Sequence, residues 1–126
     1  MKYYSTILNF SYFIFIILLY FSFSTNFQQI LEQKVLGTWY SEGDRATKWV
    51  YTSDKKLYQY ASGALESTYT YSISHECGDD SDQKFYFLKW IDEGGNEYCS
   101  EINGVDENNS GILSLTSMEN GKIYLY

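Results

Sequence analysis

Gly37-Thr38-Trp39 is the stretch of this sequence that decides the fold. It follows a short run with helical periodicity, 28–36, and it opens a series of about eight strand-like segments. A glycine lets the backbone pass close to a neighbouring chain, and a large indole two residues later can plug one end of a small barrel. The order of these parts predicts an all-β protein: an eight-stranded antiparallel up-and-down barrel with a short N-terminal helix closing one end.

The predicted strands are short and are separated by turn residues. They cover 36–41, 45–52, 56–61, 65–75, 84–91, 97–103, 112–117 and 122–126. The clearest alternation places Leu65, Tyr69, Tyr71 and Ile73 on one face of a strand, while 76–83 has the composition of a polar, acidic loop. Closing this meander into a barrel removes its two exposed edges. A β-sandwich is the structural alternative, although it normally needs longer Greek-key crossovers.

Residues 1–24 have the pattern of a secretory signal peptide. Lys2 is the only charged residue, 10–23 is an apolar and aromatic run, and Ser22 and Ser24 supply the small residues that precede a cleavage site. The run is shorter than the ~20 residues that span a bilayer. We therefore expect a folded domain at 25–126 in a secreted or periplasmic protein. An uncleaved N-terminal anchor is the alternative, and it is the only membrane attachment that we expect.

The composition is acidic and rich in aromatic residues. Nine basic residues stand against sixteen acidic ones, which gives a net charge of −7. Removal of 1–24 would make the net charge −8, because Lys2 lies before the cleavage point and all sixteen acids lie after it. Such a surface repels phosphate backbones, so we do not expect nucleic acid as a partner. Aromatic residues make up 20% of the chain and favour strands.

Two cysteines, Cys77 and Cys99, are present. In an exported chain, an even count of two predicts one disulfide. The alternative is a metal site, but His75 is the only histidine and the paired spacing of metal ligands is missing. We therefore predict the disulfide and no metal.

The sequence contains no recognisable catalytic constellation. No Ser, Asp or Cys lies at a sequence spacing from His75 that would mark it as a catalytic nucleophile, and the sequence has no glycine-rich phosphate loop. We expect that the protein is not an enzyme and that it has no cofactor.

Several short motifs follow one another in a distinctive order along the mature chain. They are Val35-Leu36-Gly37-Thr38-Trp39, Trp49-Val50-Tyr51, Tyr69-Thr70-Tyr71, Cys77-Gly78, Phe87-Leu88-Lys89, Tyr98-Cys99-Ser100-Glu101-Ile102-Asn103-Gly104 and Leu113-Ser114-Leu115. In this order they resemble a family of small, secreted, lipocalin-like β-barrel proteins, calycin-like and best represented among Bacteroidetes. The resemblance implies an eight-stranded barrel without enzymatic activity, and in most members no known ligand.

Strand alternation places large aromatic side chains inside the predicted barrel. The candidate ligand-binding residues are Trp39, Trp49, Tyr51, Tyr69, Tyr71 and Trp90. Three interpretations stay open at this point. These rings either line a site for a small hydrophobic molecule or fill the interior completely. Alternatively, the barrel loops bind a protein partner, as in a secreted inhibitor or adaptor.

Overall fold

The computed structural model describes residues 27–126, of which Leu31–Tyr126 form one compact unit. The predicted signal peptide, 1–24, lies outside the described residues. Residues 27–34 are helical, and Glu107–Asn109 form a short 3-10 turn. No helix within 27–126 is long and apolar enough to cross a membrane.

Within 27–126, ten strands make up the rest of the regular structure. They are β1 (Gly37–Tyr40), β2 (Thr47–Tyr51), β3 (Lys56–Ala61), β4 (Ala64–Ser74), β5 (Glu76–Cys77), β6 (Asp80–Ser81), β7 (Phe87–Ile91), β8 (Glu97–Val105), β9 (Leu113–Ser117) and β10 (Ile123–Leu125). Eight of them form one antiparallel sheet in the order β1-β2-β3-β4-β7-β8-β9-β10. The predicted all-β class and the meander are confirmed, and the single sheet differs from the two packed sheets of a sandwich.

The sheet is strongly curled, because side chains of distant strands meet on its inner face. Trp49 of β2 has its ring centroid 6.1 Å from that of Trp90 on β7, and 6.1 Å from that of Tyr126, which follows β10. These strands are the second, fifth and eighth in the sheet order. A flat sheet would hold them far apart, since neighbouring strands are spaced by about 4.8 Å.

The two edge strands approach each other without forming a ladder between them in the described structure. The backbone N–H of Glu42, just after β1, donates a hydrogen bond of 2.9 Å to the carbonyl of Leu125 in β10. A cleft of about 340 Å³ lies along this seam, with Arg45 and Ile112 in its lining. The sequence predicts a fully closed barrel, whereas the structure shows a curled sheet. Edge strands of four and three residues offer few backbone groups for a closing ladder.

Two local predictions are wrong. The segment 76–83 contains the β5–β6 hairpin and is therefore not a simple loop. In β4, the register shifts between the pairs Gln59–Ser67 and Tyr60–Leu65, which leaves Glu66 as an extra residue. This bulge reverses the side-chain alternation, so Leu65 is 53% exposed and does not share the inner face of Tyr69.

The end of the helical segment packs into the core of the curled sheet together with Trp39. Leu31 and Val35 are buried in the same apolar cluster as Trp39 and Leu57. The indole Nε1 of Trp39 donates a 2.7 Å hydrogen bond to the carbonyl of Val35, which satisfies both groups inside the core.

Gly37 is needed for its backbone conformation. Its φ of +119° lies outside the region that other residues adopt readily. A Cβ at Gly37 would meet no heavy atom within 4 Å, so the predicted close approach of a neighbouring chain is wrong at this glycine.

We expect Trp39→Phe to destabilise the fold by about 2 kcal/mol, because it leaves the buried carbonyl of Val35 without its donor and creates a void. Chemical denaturation measures the free energy of unfolding. Trp49→Phe is the matched control, since Trp49 is only half buried, and it should cost less. Equal costs for the two variants would contradict the role given to Trp39.

The predicted disulfide is present. The Cα atoms of Cys77 and Cys99 are 5.8 Å apart, and the sulfurs are bonded. Cys77 lies in β5 and Cys99 in β8, so the bond ties the β5–β6 hairpin to the main sheet.

Reduction of this disulfide should lower the free energy of unfolding by roughly 3 kcal/mol, because the 22-residue separation closes a loop that restricts the unfolded chain. Thermal unfolding with and without reductant tests this, with Cys77→Ala/Cys99→Ala as the genetic equivalent. An unchanged melting temperature after complete reduction would contradict the expectation.

Candidate functional site

The end of the sheet opposite the start of β1 carries a larger cleft. Because the strands alternate in direction, the turns 41–46, 62–63, 92–96 and 118–122 all lie at this end. The cleft lies between the last two of these turns and has a volume of about 650 Å³. Its apolar and aromatic lining consists of Trp49, Trp90, Tyr98, Leu115, Met118, Tyr124 and Tyr126. We call it the aromatic cleft.

Trp49 is the centre of the ring cluster behind this cleft. Its indole stacks on Trp90 and on Tyr69, both at 6.1 Å between centroids. Tyr126 meets the same indole edge-on at 6.1 Å. Tyr69 in turn contacts Tyr98 edge-on at 6.3 Å. Offset and edge-on ring pairs stabilise such a cluster beyond the area that they bury.

A second aromatic layer lies deeper, towards the 52–55 turn at the other end of the sheet. The rings of Tyr51 and Tyr71 meet edge-on at 5.1 Å, and Tyr51 is only 3% exposed. The Tyr51 hydroxyl accepts a 3.4 Å hydrogen bond from Nε1 of Trp90. The Tyr71 hydroxyl donates a 2.9 Å hydrogen bond to the carbonyl of Thr52. Their polar atoms are used within the protein, so this layer is a packed floor below the aromatic cleft.

The six predicted ligand-binding residues therefore have different environments. Trp49 and Trp90 line the aromatic cleft. Tyr69 packs behind Trp49, and Tyr51 and Tyr71 form the floor. Trp39 is 9% exposed, and its indole N–H donates to the carbonyl of Val35, just after the helical segment.

Several lining residues were missed by the sequence analysis. Tyr98 is two residues before the buried Ser100 in β8, and its inner position follows from the same alternation. Tyr124 is the register partner of Leu115, and the backbone of Tyr126 bonds to that of Leu113, so both tyrosines share the inner face of β9. Extending the alternation to the last strand would have found them.

The rim of the aromatic cleft is polar and acidic. Glu97, Glu119, Asn96 and Asn120 contribute to its lining. Beside it, the Tyr98 hydroxyl donates a 3.1 Å hydrogen bond to Oδ2 of Asp92. This bond raises the pKa of Tyr98, and hydrogen bonds from Asn96, Tyr98 and Gly94 lower the pKa of Asp92. Asp92 therefore stays ionised and orders the 92–96 turn.

His75 packs within the protein and contacts a backbone carbonyl and a tyrosine ring. Its Nδ1 lies 2.7 Å from the carbonyl of Phe85, and its ring centroid lies 4.1 Å from that of Tyr86. Within 27–126, no group of three or more His, Cys, Asp or Glu residues could hold a metal ion.

The packed tyrosines should set an alkaline limit to stability. Burial raises the pKa of Tyr71 and of Tyr126 to about 12, and it raises that of Tyr51 further. Unfolded tyrosine titrates near pH 10. Above that pH, the unfolded chain holds fewer protons than the folded one, so the free energy of unfolding falls as the pH rises.

Below about pH 9, tyrosine ionisation should not change the free energy of unfolding. Between about pH 10 and 12, we expect this free energy to fall. The slope for the buried Tyr51 is about 1.4 kcal/mol per pH unit, with smaller contributions from Tyr71 and Tyr126, whose pKa values burial raises less. Urea unfolding at several pH values, combined with tyrosinate absorbance, measures it. Tyr51→Phe should reduce the slope, and a slope unaffected by this change would contradict the assignment.

Comparison with family models, with curated proteins and with solved structures finds no match to this chain.

Proposed function

We propose that this protein is an exported, non-enzymatic, lipocalin-like β-barrel protein that binds a small hydrophobic molecule in the aromatic cleft. The main support is that the inner face of the sheet is filled by side chains at one end and open at the other. Below Trp49 the sheet is filled by packed side chains, and above it a space of about 650 Å³ remains, walled by Trp49, Trp90 and Tyr126.

The cleft has the dimensions and the surface of a small-molecule site. Its volume falls within the range of about 300–1,000 Å³ that is common for ligand pockets. Indole and phenol rings supply large apolar contact areas with few rotatable bonds, so little conformational entropy is lost when a ligand is bound. The polar rim supplies acceptors that can fix the orientation of a ligand with one polar end.

The barrel and the export assignments have separate support. The bond from Glu42 to Leu125 brings the two sheet edges together, which is what a closed barrel requires at its seam. A disulfide is typical of proteins from oxidising compartments, and the 1–24 pattern is that of a signal peptide. The motif order quoted for the lipocalin-like family supports the same assignment.

A fluorescence titration with N-phenyl-1-naphthylamine, an uncharged apolar probe, tests the binding proposal. We expect saturable enhancement of its emission, because the ring-walled cleft shields it from water. Trp49→Ala should weaken the affinity by about tenfold or more, since Trp49 supports the whole wall.

Phe85→Ala is the matched control, because it removes an exposed ring that does not line the cleft. Circular dichroism and the melting temperature show whether each variant is folded, and Trp90→Ala replaces Trp49→Ala if the latter unfolds. Absence of saturable binding to the folded wild-type protein, or equal weakening in Phe85→Ala, would overturn the proposal.

A further inference from the structure

The charges around the aromatic cleft are one-sided. Its lining contains two charged side chains, Glu97 and Glu119, and both are carboxylates. No lysine or arginine contributes to this lining within the part of the chain that the structure describes. Asp92 adds a third carboxylate beside the rim through its hydrogen bond to Tyr98.

The basic side chains that the structure describes are engaged elsewhere or lie outside the lining. Lys55 forms a 2.9 Å ion pair with Glu32, and Lys48 lies 4.8 Å from the ring centroid of Tyr60. Arg45 lines the separate cleft at the seam. Among the ion pairs within 27–126, the one between Lys89 and Glu97, at 3.9 Å, involves a lining carboxylate, and both of its side chains remain partly exposed. The attraction between these two side chains is therefore weakened by solvent.

The rings add a second feature that favours positive charge. The face of an indole or a phenol carries negative electrostatic potential, and tryptophan attracts cations most strongly. The cleft is lined by two indoles and three phenols, from Trp49, Trp90, Tyr98, Tyr124 and Tyr126. Ring faces bind organic ammonium groups in proteins, and Glu119 adds a carboxylate to the same lining.

The whole chain strengthens this preference at long range. Its net charge of −7 attracts cations and repels fatty acids and other anionic amphiphiles. An anionic ligand would also place its carboxylate near Glu119 without a lysine or arginine in the lining to neutralise it.

We infer that the aromatic cleft selects organic cations, with an apolar chain or ring against Trp49 and Trp90 and an ammonium group at the rim near Glu119. This inference rests on the proposed function, because it names the ligand class of the same cleft. The rings contact the apolar part of the ligand. The rim carboxylates favour a positively charged head group over a neutral or negative one.

Displacement of bound N-phenyl-1-naphthylamine by three competitors with the same chain length tests the inference. The competitors are octyltrimethylammonium, 1-octanol and octanoate, which carry a positive, a neutral and a negative head group. We expect octyltrimethylammonium to displace the probe at a concentration about tenfold lower than 1-octanol, with octanoate weakest. This advantage should shrink as salt is raised from about 50 to about 500 mM, because screening weakens the rim charges.

Glu119→Gln should reduce the advantage of octyltrimethylammonium over 1-octanol, because the amide removes the charge and keeps an oxygen that can accept a hydrogen bond. Glu107→Gln is the matched control: it removes the same charge from an exposed residue in the 3-10 turn, beyond the opposite end of β8 from the cleft. This control should leave both competitors unchanged.

The outcomes separate the two proposals. If the probe binds but 1-octanol or octanoate displaces it as well as octyltrimethylammonium does, selection of cations is overturned and the binding function stands. Equal effects of Glu119→Gln and Glu107→Gln would overturn the role of Glu119 at the rim. If the folded protein does not bind the probe at all, the proposed function itself fails.

Discussion

The curl of the sheet, which the ring contacts of Trp49 reveal, is the constraint on which the rest of the structure depends. The Trp49 indole contacts rings from β4 and β7, and from Tyr126 after β10, so it joins strands that lie far apart in the sheet order. These contacts require the sheet to curl. The curl brings the short edge strands close enough for the bond from Glu42 to Leu125. It also creates a concave inner face, which the side chains fill at one end and leave open at the other.

The two ends of the curled sheet have different physical roles. At the closed end, buried groups satisfy one another: the Trp39 indole with the Val35 carbonyl, and the Tyr71 hydroxyl with the Thr52 carbonyl. At the open end, Trp49, Trp90 and Tyr126 are only partly covered by protein. Stability is thus concentrated in the floor, and the aromatic wall above it remains available for contact with a ligand.

Much of this fold follows from local sequence signals. Alternation and turn residues predicted all eight strands of the main sheet, and the inner positions of Trp49, Tyr71 and Leu115 follow from the same period of two. The bulge at Glu66 could not be predicted, because it depends on how β3 and β4 align after pairing. The extent of edge closure likewise depends on three-dimensional curl. The cleft could not be predicted either, because its shape depends on the distances between β2, β7 and β10, and no single segment of sequence determines these distances.

Nuclear Overhauser effects between the Trp49 indole and the rings of Trp90 and Tyr126 test the central claim most directly. Strong cross-peaks from Trp49 to both partners are predicted, since each pair of ring centroids lies 6.1 Å apart. A folded protein with neither cross-peak would have a flatter sheet without the aromatic wall. That result would contradict the account of the cleft and of its ligand.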